Sequence, residues 1–598
     1  MQRIDVSVVL SLHREGKFLA RTLSSLAVAA DYARRRGKAV ELVAVFDRTD
    51  AVTREIFEAA DLTAFSAVRQ TNIMAGSLSL SRNAGIAEAT GEYIETADGD
   101  DLVSYSFIDR MCEEAAKLGD GAILVPKYIF GFGYRYRLGE YFNQDQIHPE
   151  AMLKHHLYSS KIVAHRSLFE KLRFTHVPAS SGYAYEDWHF NCEAMALGYR
   201  FHAVEGTVLF YRQRVESLSY VSDRTSVRQP MPSTLFEPST FQRVFADNLG
   251  ELREGMNLAT QTQIVGPKVF RDPAYEDLVA AANQIDPSIH IEAFRQELSD
   301  HYWNIVDPRI GRAYHSLCEQ VGNRPFDHVI LLPSWSFRTT SDPMVSLSSD
   351  LAADTTKHVL VVLDGADGGP APDGIAGATI LDLDALASDL PPGDRDLLCF
   401  KLIQGAAPGA HLHMTSSPLA ERLLNRFGPL WQSYEVTYYR YPDVVSCEDA
   451  GGMTEPQGFN ALSDHIDIFR SVVAFDRNTA ESDQARLGYQ LGKWRIEPFE
   501  PIHPPPARYQ PQALPATEPG ATVPEQASAE GRERMILDLQ SEVETLRLQA
   551  EQWETMKASR AYRAAELYRA LYRMPGIGRG LEAVRRLVGA SVRWIRAR

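Results

Sequence analysis

Three carboxylates, Asp98, Asp100 and Asp101, stand together directly after the strand-like run GEYIETAD (91–98). Like charges packed this closely repel, and a bound cation relieves the repulsion. Oxygen ligands select a hard ion, Mg2+ or Mn2+, which typically bridges one or two carboxylates to the phosphates of a substrate. The same acids can instead form a turn ahead of a helix starting near Ser104, where negative charge favours the positive helix end. On spacing alone the two readings stand level. A second acidic pair, Glu186 and Asp187, opens the helical pattern WHFNCEAMALG. An Asp there is either a helix-start residue or a base aimed into a site. His155 and His156 are adjacent, so on a helix they diverge; they read as structural or surface groups, not ligands.

These side chains need a scaffold. VSVVLS (6–11) is a continuous apolar run, as expected for a strand buried on both faces. Phe18, Leu19, Thr22, Leu23 and Leu26 then recur at helical spacing. ELVAVF (41–46) is a second strand, followed by a helix around 50–60, a third strand near 66–71 and a fourth at 91–98. This alternation predicts an α/β fold with a parallel, doubly wound sheet over residues 1–235, ligands lying at the carboxyl ends of its strands. Residues 236–325 read as a helical connecting region. A second alternation follows over 326–497, with strands at 328–333, 358–364, 378–384, 411–416 and 472–476. Nine prolines between Pro498 and Pro524 mark an extended linker over 498–530. Ile536, Leu539, Val543, Leu546, Ala550 and Trp553 then alternate three and four apart, the seam of a coiled coil within 531–573. Such a seam after a linker implies a homo-oligomer through 533–556. MPGIG (574–578) breaks the helix and opens a basic amphipathic tail, 574–598.

Taken together, VSVVLSLHREGKFLARTLSSL, ELVAVFDRTD and SLSRNAGIAEATGEYIETADGDD resemble an inverting family 2 glycosyltransferase of GT-A fold. YEDWHFNCEAMALGYRFHAVEGTVLFYR (185–212) is similar to that family's acceptor-side segment, and the elements keep the family's order over about the first 215 residues. The resemblance implies roles. Ser11 and His13 would contact the nucleotide, His13 replacing the usual aromatic residue. Asp47 would hydrogen-bond the donor base, and Arg82 and Asn83 would pack near the donor phosphates and sugar. Asp98 would lie near the ribose and sugar. Asp100 would be the main metal ligand, with Asp98 and Asp101 in support. Glu186 and Asp187 would be the catalytic pair, Asp187 the general base. Tyr185 and Trp188 could stack on an acceptor sugar or belong to the core. The aromatic run YIFGFGYRYRLGEYF (128–142), with its glycines, suggests a mobile loop over the site.

The second α/β region is similar to the N-terminal, acceptor-side half of a GT-B glycosyltransferase, in VDPRIGRAYHSLCEQVGNRPFDHVILLPSW (306–335) and PGAHLHMTSSPLAERLLNRFG (408–428). The linker begins where the donor-binding half of such an enzyme would start, so acceptor binding or a structural role is expected there. DGADGG (364–369) lacks the GxGxxG spacing of a dinucleotide loop.

Composition narrows the classes. The 598 residues are 44% hydrophobic, enough to exclude a wholly disordered chain, and long enough for several domains. A net charge of −16 argues against a general nucleic-acid binder. The charge is uneven: residues 557–598 hold eleven Lys/Arg against two acids, a net +9, which leaves −25 on the preceding 556 residues. The five cysteines are scattered without CxxC, which fits a reducing compartment. No apolar run is long enough to span a membrane as a helix, so a cytoplasmic location is expected. The basic tail leaves open a peripheral contact with the inner face of the plasma membrane. The expected activity is sugar transfer from a nucleotide-sugar donor to a glycan or lipid-linked acceptor in surface polysaccharide synthesis. The competing expectation is an assembly scaffold with a silent transferase domain.

Overall fold

The computed structural model describes residues 3–498, except 148, 216, 254–271, 296–299, 303–307, 334–341, 365–374, 442–457 and 488–496. The linker, coiled coil, basic tail and the DGADGG glycines therefore lie outside the described residues. All described residues belong to one compact unit, Met1–Gln512.

The first sheet contains β1 (Val6–Leu12), β2 (Val40–Asp47), β3 (Ala67–Ile73), β4 (Tyr93–Asp98), β5 (Leu102–Val103), β6 (Ala122–Gly133), β7 (Arg137–Glu140), β8 (Val163–His165), β9 (Arg200–Gln213) and β10 (Asp300–Tyr302). Its main order is β10-β7-β6-β8-β4-β1-β2-β3, with β9 pairing both β5 and β6. Every residue of β1 and β2 is buried, as their unbroken apolar runs require of central strands. The sheet is not wholly parallel, as expected from alternation; β4–β1–β2–β3 is parallel, but β4–β8, β8–β6 and β6–β7 are antiparallel. The physical reason lies in the connections. Only three residues join β6 to β7, too few for the crossover a parallel pair needs. That hairpin also replaces the mobile loop expected from the aromatic run: Phe130 and Phe132 are fully buried, and Gly133 supplies the turn with φ +103°.

The helices flanking this sheet are α1 (Leu19–Arg35), α2 (Ala51–Glu58), α3 (Leu78–Glu88), α4 (Phe107–Leu118), α5 (Arg166–Lys171) and α6 (Glu186–Ala196). Close approach of α3 to the strands depends on Gly85. A Cβ there would lie 2.4 Å from Val9 Cγ1 and 2.7 Å from Val45 Cγ2.

Residues 236–325 carry helices Pro238–Arg253, Pro273–Ile285, Ile291–Arg295 and Pro308–Val321, and also contribute β10. The second sheet has β11 (His328–Pro333), β12 (Val359–Asp364), β13 (Ala378–Asp382), β14 (His411–Thr415), β15 (Glu435–Arg440), β16 (Ser471–Ala474) and β17 (Glu497–Pro498). It runs β13-β12-β11-β14-β15-β16-β17 and is parallel throughout, the doubly wound order. β15, of sequence EVTYYR, was not anticipated. The two sheets share one core: Val9, Val43 and Val45 belong to the same buried cluster as Leu331, Leu360 and Leu412. Helix Pro308–Val321 helps join them, its Tyr314 hydroxyl donating to the Phe236 carbonyl at 2.6 Å.

Candidate functional site

The carboxyl ends of β1 and β4 meet in register, Ser11 opposite Asp98. The chain then turns through Gly99, whose missing side chain admits the β1–α1 loop. A Cβ there would lie 2.9 Å from Glu15 Cγ and 3.0 Å from Leu12 Cδ2. This close approach explains the glycine inside the acidic run and brings Glu15 to the same place.

Arg82, on α3, is the centre of the arrangement. It is 1% exposed. One guanidinium nitrogen donates to Glu186 Oε1 at 2.8 Å and the other to Asp98 at 3.1 and 3.3 Å. Its ring partner is Phe174, 5.3 Å away. Burial disfavours the charged form, but the fields of Asp98, Glu186 and Asp187 outweigh it and hold the guanidinium firmly protonated. A single buried cation thus ties the acid ending β4 to the acid pair opening α6.

Asp100 and Asp101 are partnered differently. Asp100 pairs with Arg214 at 2.7 Å. Asp101 accepts from the Arg212 backbone N–H at 2.8 Å. Arg212 also donates through Nε to the Asp100 carbonyl at 2.9 Å, and its other end donates to the buried Asp286 at 2.6 Å. Its guanidinium lies between the rings of Phe18 and Phe132, 4.4 and 4.5 Å from their centroids. Burial pushes the Asp100 carboxyl up to about 6, with Asp98 and Glu15 adding to the shift against the pull of Arg214. Burial likewise raises Asp101 well above the carboxylate range, helped by Asp100 and Asp98. Glu15 is raised by burial too.

Among the described residues, the trio of acids does not bring three ligand atoms within 4.8 Å of one another; the group that does is His328, His411 and His413. The acids therefore form no closed cage. Their hard oxygens and their mutual raising of proton affinity fit an ion held by one or two carboxylates, with the remaining positions left to substrate and water.

Across Arg82, helix α6 starts from Tyr185, held in the left-handed region at φ 59°. Such a backbone costs about 1–3 kcal/mol and persists where packing over-determines it. Here the Tyr185 hydroxyl bonds Asp223. Asp187 accepts from the Trp188 N–H at 2.9 Å. His156 Nε2 lies 3.9 Å from Asp187, and its ring stacks on Trp188 at 9° between planes. Burial lowers the His156 pKa, against the pull of Asp187, and favours the neutral imidazole. Trp188 is 3% exposed and donates to the Met152 carbonyl, which makes it core, not a stacking platform. Glu186 is raised by burial and by Asp187.

The remaining expected residues lie around this centre. Ser11 is buried and its hydroxyl has no hydrogen-bond partner among the described residues. His13 is exposed, its Nδ1 2.7 Å from the Asp47 carbonyl. Asp47 accepts from the N–H groups of Gly76 and Ser77 and from the Ser81 hydroxyl. Burial raises its pKa, but these bonds prevail and hold it below the ordinary value. Asn83 spends its amide on both backbone groups of Phe174, at 2.8 and 3.0 Å. Thus Asp98, Glu186 and Arg82 meet directly, whereas Asp47 anchors the segment entering α3 and Asn83 ties the middle of α3 to Phe174. Glu15, His156, Arg212 and Arg214 were not anticipated as site residues. The paired arginines of YRQR (211–214), two apart on a strand end, were the available signal for the last two.

Residues 7–173 match the model of glycosyl transferase family 2, so this segment is a family 2 glycosyltransferase domain. The match takes in Ser11, His13, Asp47, Arg82, Asn83 and the three acids at 98–101, and ends before Glu186 and Asp187. Among solved structures, the chain is similar to residues 1–349 of S. aureus TarS in complex with UDP, at 17% identity and TM-score 0.27, covering 49% of this chain and 86% of that one. The same protein in complex with UDP-GlcNAc gives 16% identity and TM-score 0.28 over 53% and 88%. No curated protein matches the chain in sequence.

Proposed function

We propose that the N-terminal domain transfers a sugar from a nucleotide diphosphate to a hydroxyl of a saccharide or lipid-linked acceptor, with inversion, in surface polysaccharide synthesis. The observation that carries this reading is the buried Arg82, which bridges the part-exposed Asp98 and Glu186. Donor-side and acceptor-side acids then serve a single reacting centre.

Asp98 and Asp100, supported by Asp101, would hold Mg2+ or Mn2+, which when bound neutralises charge developing on the leaving diphosphate. Ser11, His13 and Asp47 line the β1 and β2 ends, where the base of the donor would lie. Asp187 takes the proton of the attacking hydroxyl. The first turn of α6 orients that carboxylate through the Trp188 N–H. Glu186 holds Arg82 and so fixes Asp98. A single displacement with one base inverts the anomeric carbon. The second α/β region would act as an acceptor-side half, residues 533–556 would form a homo-oligomer, and 574–598 would contact an anionic membrane face. Among the described residues no helix is long and apolar enough to cross a membrane.

The test is donor consumption with a panel of UDP-, GDP- and dTDP-sugars, for the native chain and for Asp187→Asn and Asp100→Asn. Loss of transfer in each variant, with an intact fold, is expected. Full transfer by either variant removes that residue's role; no turnover and no metal-dependent stabilisation with any donor would leave the scaffold reading.

A further inference from the structure

The second sheet holds a cluster that the transferase reading leaves unused. β11 and β14 begin with His328 and His411, which are register partners, and His413 follows two residues later. Side chains two apart on a strand share a face, so three imidazoles gather at the amino edge of this sheet. That edge is opposite the carboxyl ends at which α/β sheets bind substrates. One nitrogen of each ring lies within 4.8 Å of the others. His328 Nδ1 and His413 Nε2 are 3.1 Å apart. Two nitrogens on a tetrahedral ion at about 2.0–2.1 Å each would be separated by about 3.3 Å, so little movement is needed to seat one.

The surroundings match what ligating histidines require. The second nitrogen of such a ring is usually held by an oxygen that fixes the tautomer. His413 Nδ1 is 3.0 Å from the Tyr439 hydroxyl, and His411 Nε2 is 2.7 Å from the Thr437 hydroxyl. Glu435, the register partner of His411 on β15, puts a carboxylate oxygen 3.8 Å from His411 Nδ1. His411 and His413 are buried, while His328 and Glu435 are part-exposed and give an ion a way in.

We propose that His328, His411 and His413 bind a transition-metal ion of the zinc class that clasps β11 and β14, with Glu435, whose other oxygen pairs with Arg470 at 3.1 Å, beside it on β15. Imidazole ligands suit Zn2+, Co2+ or Ni2+ and not the hard ions expected at the acidic run. The two centres are therefore separable by metal as well as by place.

The full-length chain, stripped by chelation, is titrated with Co2+ and followed by the visible absorption of tetrahedral cobalt. Melting is followed with and without Zn2+. One equivalent should produce the band and raise the melting temperature. His328→Gln, at the part-exposed ligand, should lose both responses while melting like the metal-free native chain. Asp100→Asn, at the acidic run, should keep both. Absence of the band in the native chain would overturn the proposal, as would a band and a melting shift that persist in His328→Gln.

Discussion

Replacing Asp100 by Asn should abolish transfer yet stabilise the fold. Burial and the neighbouring acids raise the Asp100 carboxyl from 3.8 to about 6. A difference of about 2 units, at roughly 1.4 kcal/mol each, means the ionised group costs about 3 kcal/mol at neutral pH. The side chain is 14% exposed, so solvent screening removes little of this. That shift already includes the pull of Arg214, so replacing the carboxylate by a neutral isostere should gain about 3 kcal/mol at neutral pH. The sign with pH follows from proton binding. Between the two pKa values the folded chain holds the proton that the unfolded chain has lost, so native stability falls as pH rises through this window. The Asn variant has no such group, and its advantage should be absent near pH 4, grow to about pH 6 and then level off. Urea unfolding of both proteins without divalent ions, at several pH values across that window, measures it. Added Mn2+ should then stabilise the native chain more than the variant. An Asn variant no more stable than the native chain above about pH 7 would refute the argument, because the carboxylate would then not be held at a cost.

Arg82→Met should destabilise by about 3–5 kcal/mol, since it leaves Asp98 and Glu186 facing each other uncompensated; Arg82→Lys should recover part of this, and chemical unfolding separates them. Gly85→Ala should cost about 1–3 kcal/mol by forcing α3 off Val9 and Val45, read from the same unfolding curves. His156→Phe should keep the stack on Trp188 and lose only the contact with the Asn191 amide, at a cost of about 1 kcal/mol or less, read from the same unfolding curves.

Much of the fold is legible because local pattern and burial agree. β1 and β2 announce themselves by apolar runs that only a doubly covered strand needs, and α1 by its spaced Leu19, Leu23 and Leu26. Strand direction is not local. β6 to β9 mix parallel and antiparallel pairing because of connection length and of what β9 must cover, so alternation alone overstated the parallel sheet. The aromatic run was misread for a related reason: glycines that suggest a loop are equally what a tight hairpin requires. β15 was missed although five of its six residues are buried.

The acids of the site could be named from sequence because they cluster within short segments. Their counter-charges could not. Asp98 reaches Glu186 through Arg82, a link between residues far apart in the chain. Asp286, at the end of a helix in the connecting region, reaches the acidic run only through Arg212, which it holds at 2.6 Å. Among the described residues, the acids of the site have Arg82 and Arg214 as ion-pair partners, with Arg212 and Lys161 acting on Asp100 and Asp101. Two of those arginines are themselves divided, since Arg82 serves two acids and Arg212 is largely claimed by Asp286. The cluster therefore limits its charge by holding protons: burial and mutual repulsion raise Glu15, Asp101, Glu186 and Asp100, and the ion-pair partner of Asp100 is the part-exposed Arg214. An added divalent cation has most to gain at that carboxylate, and Arg214 is the group it must displace or share with.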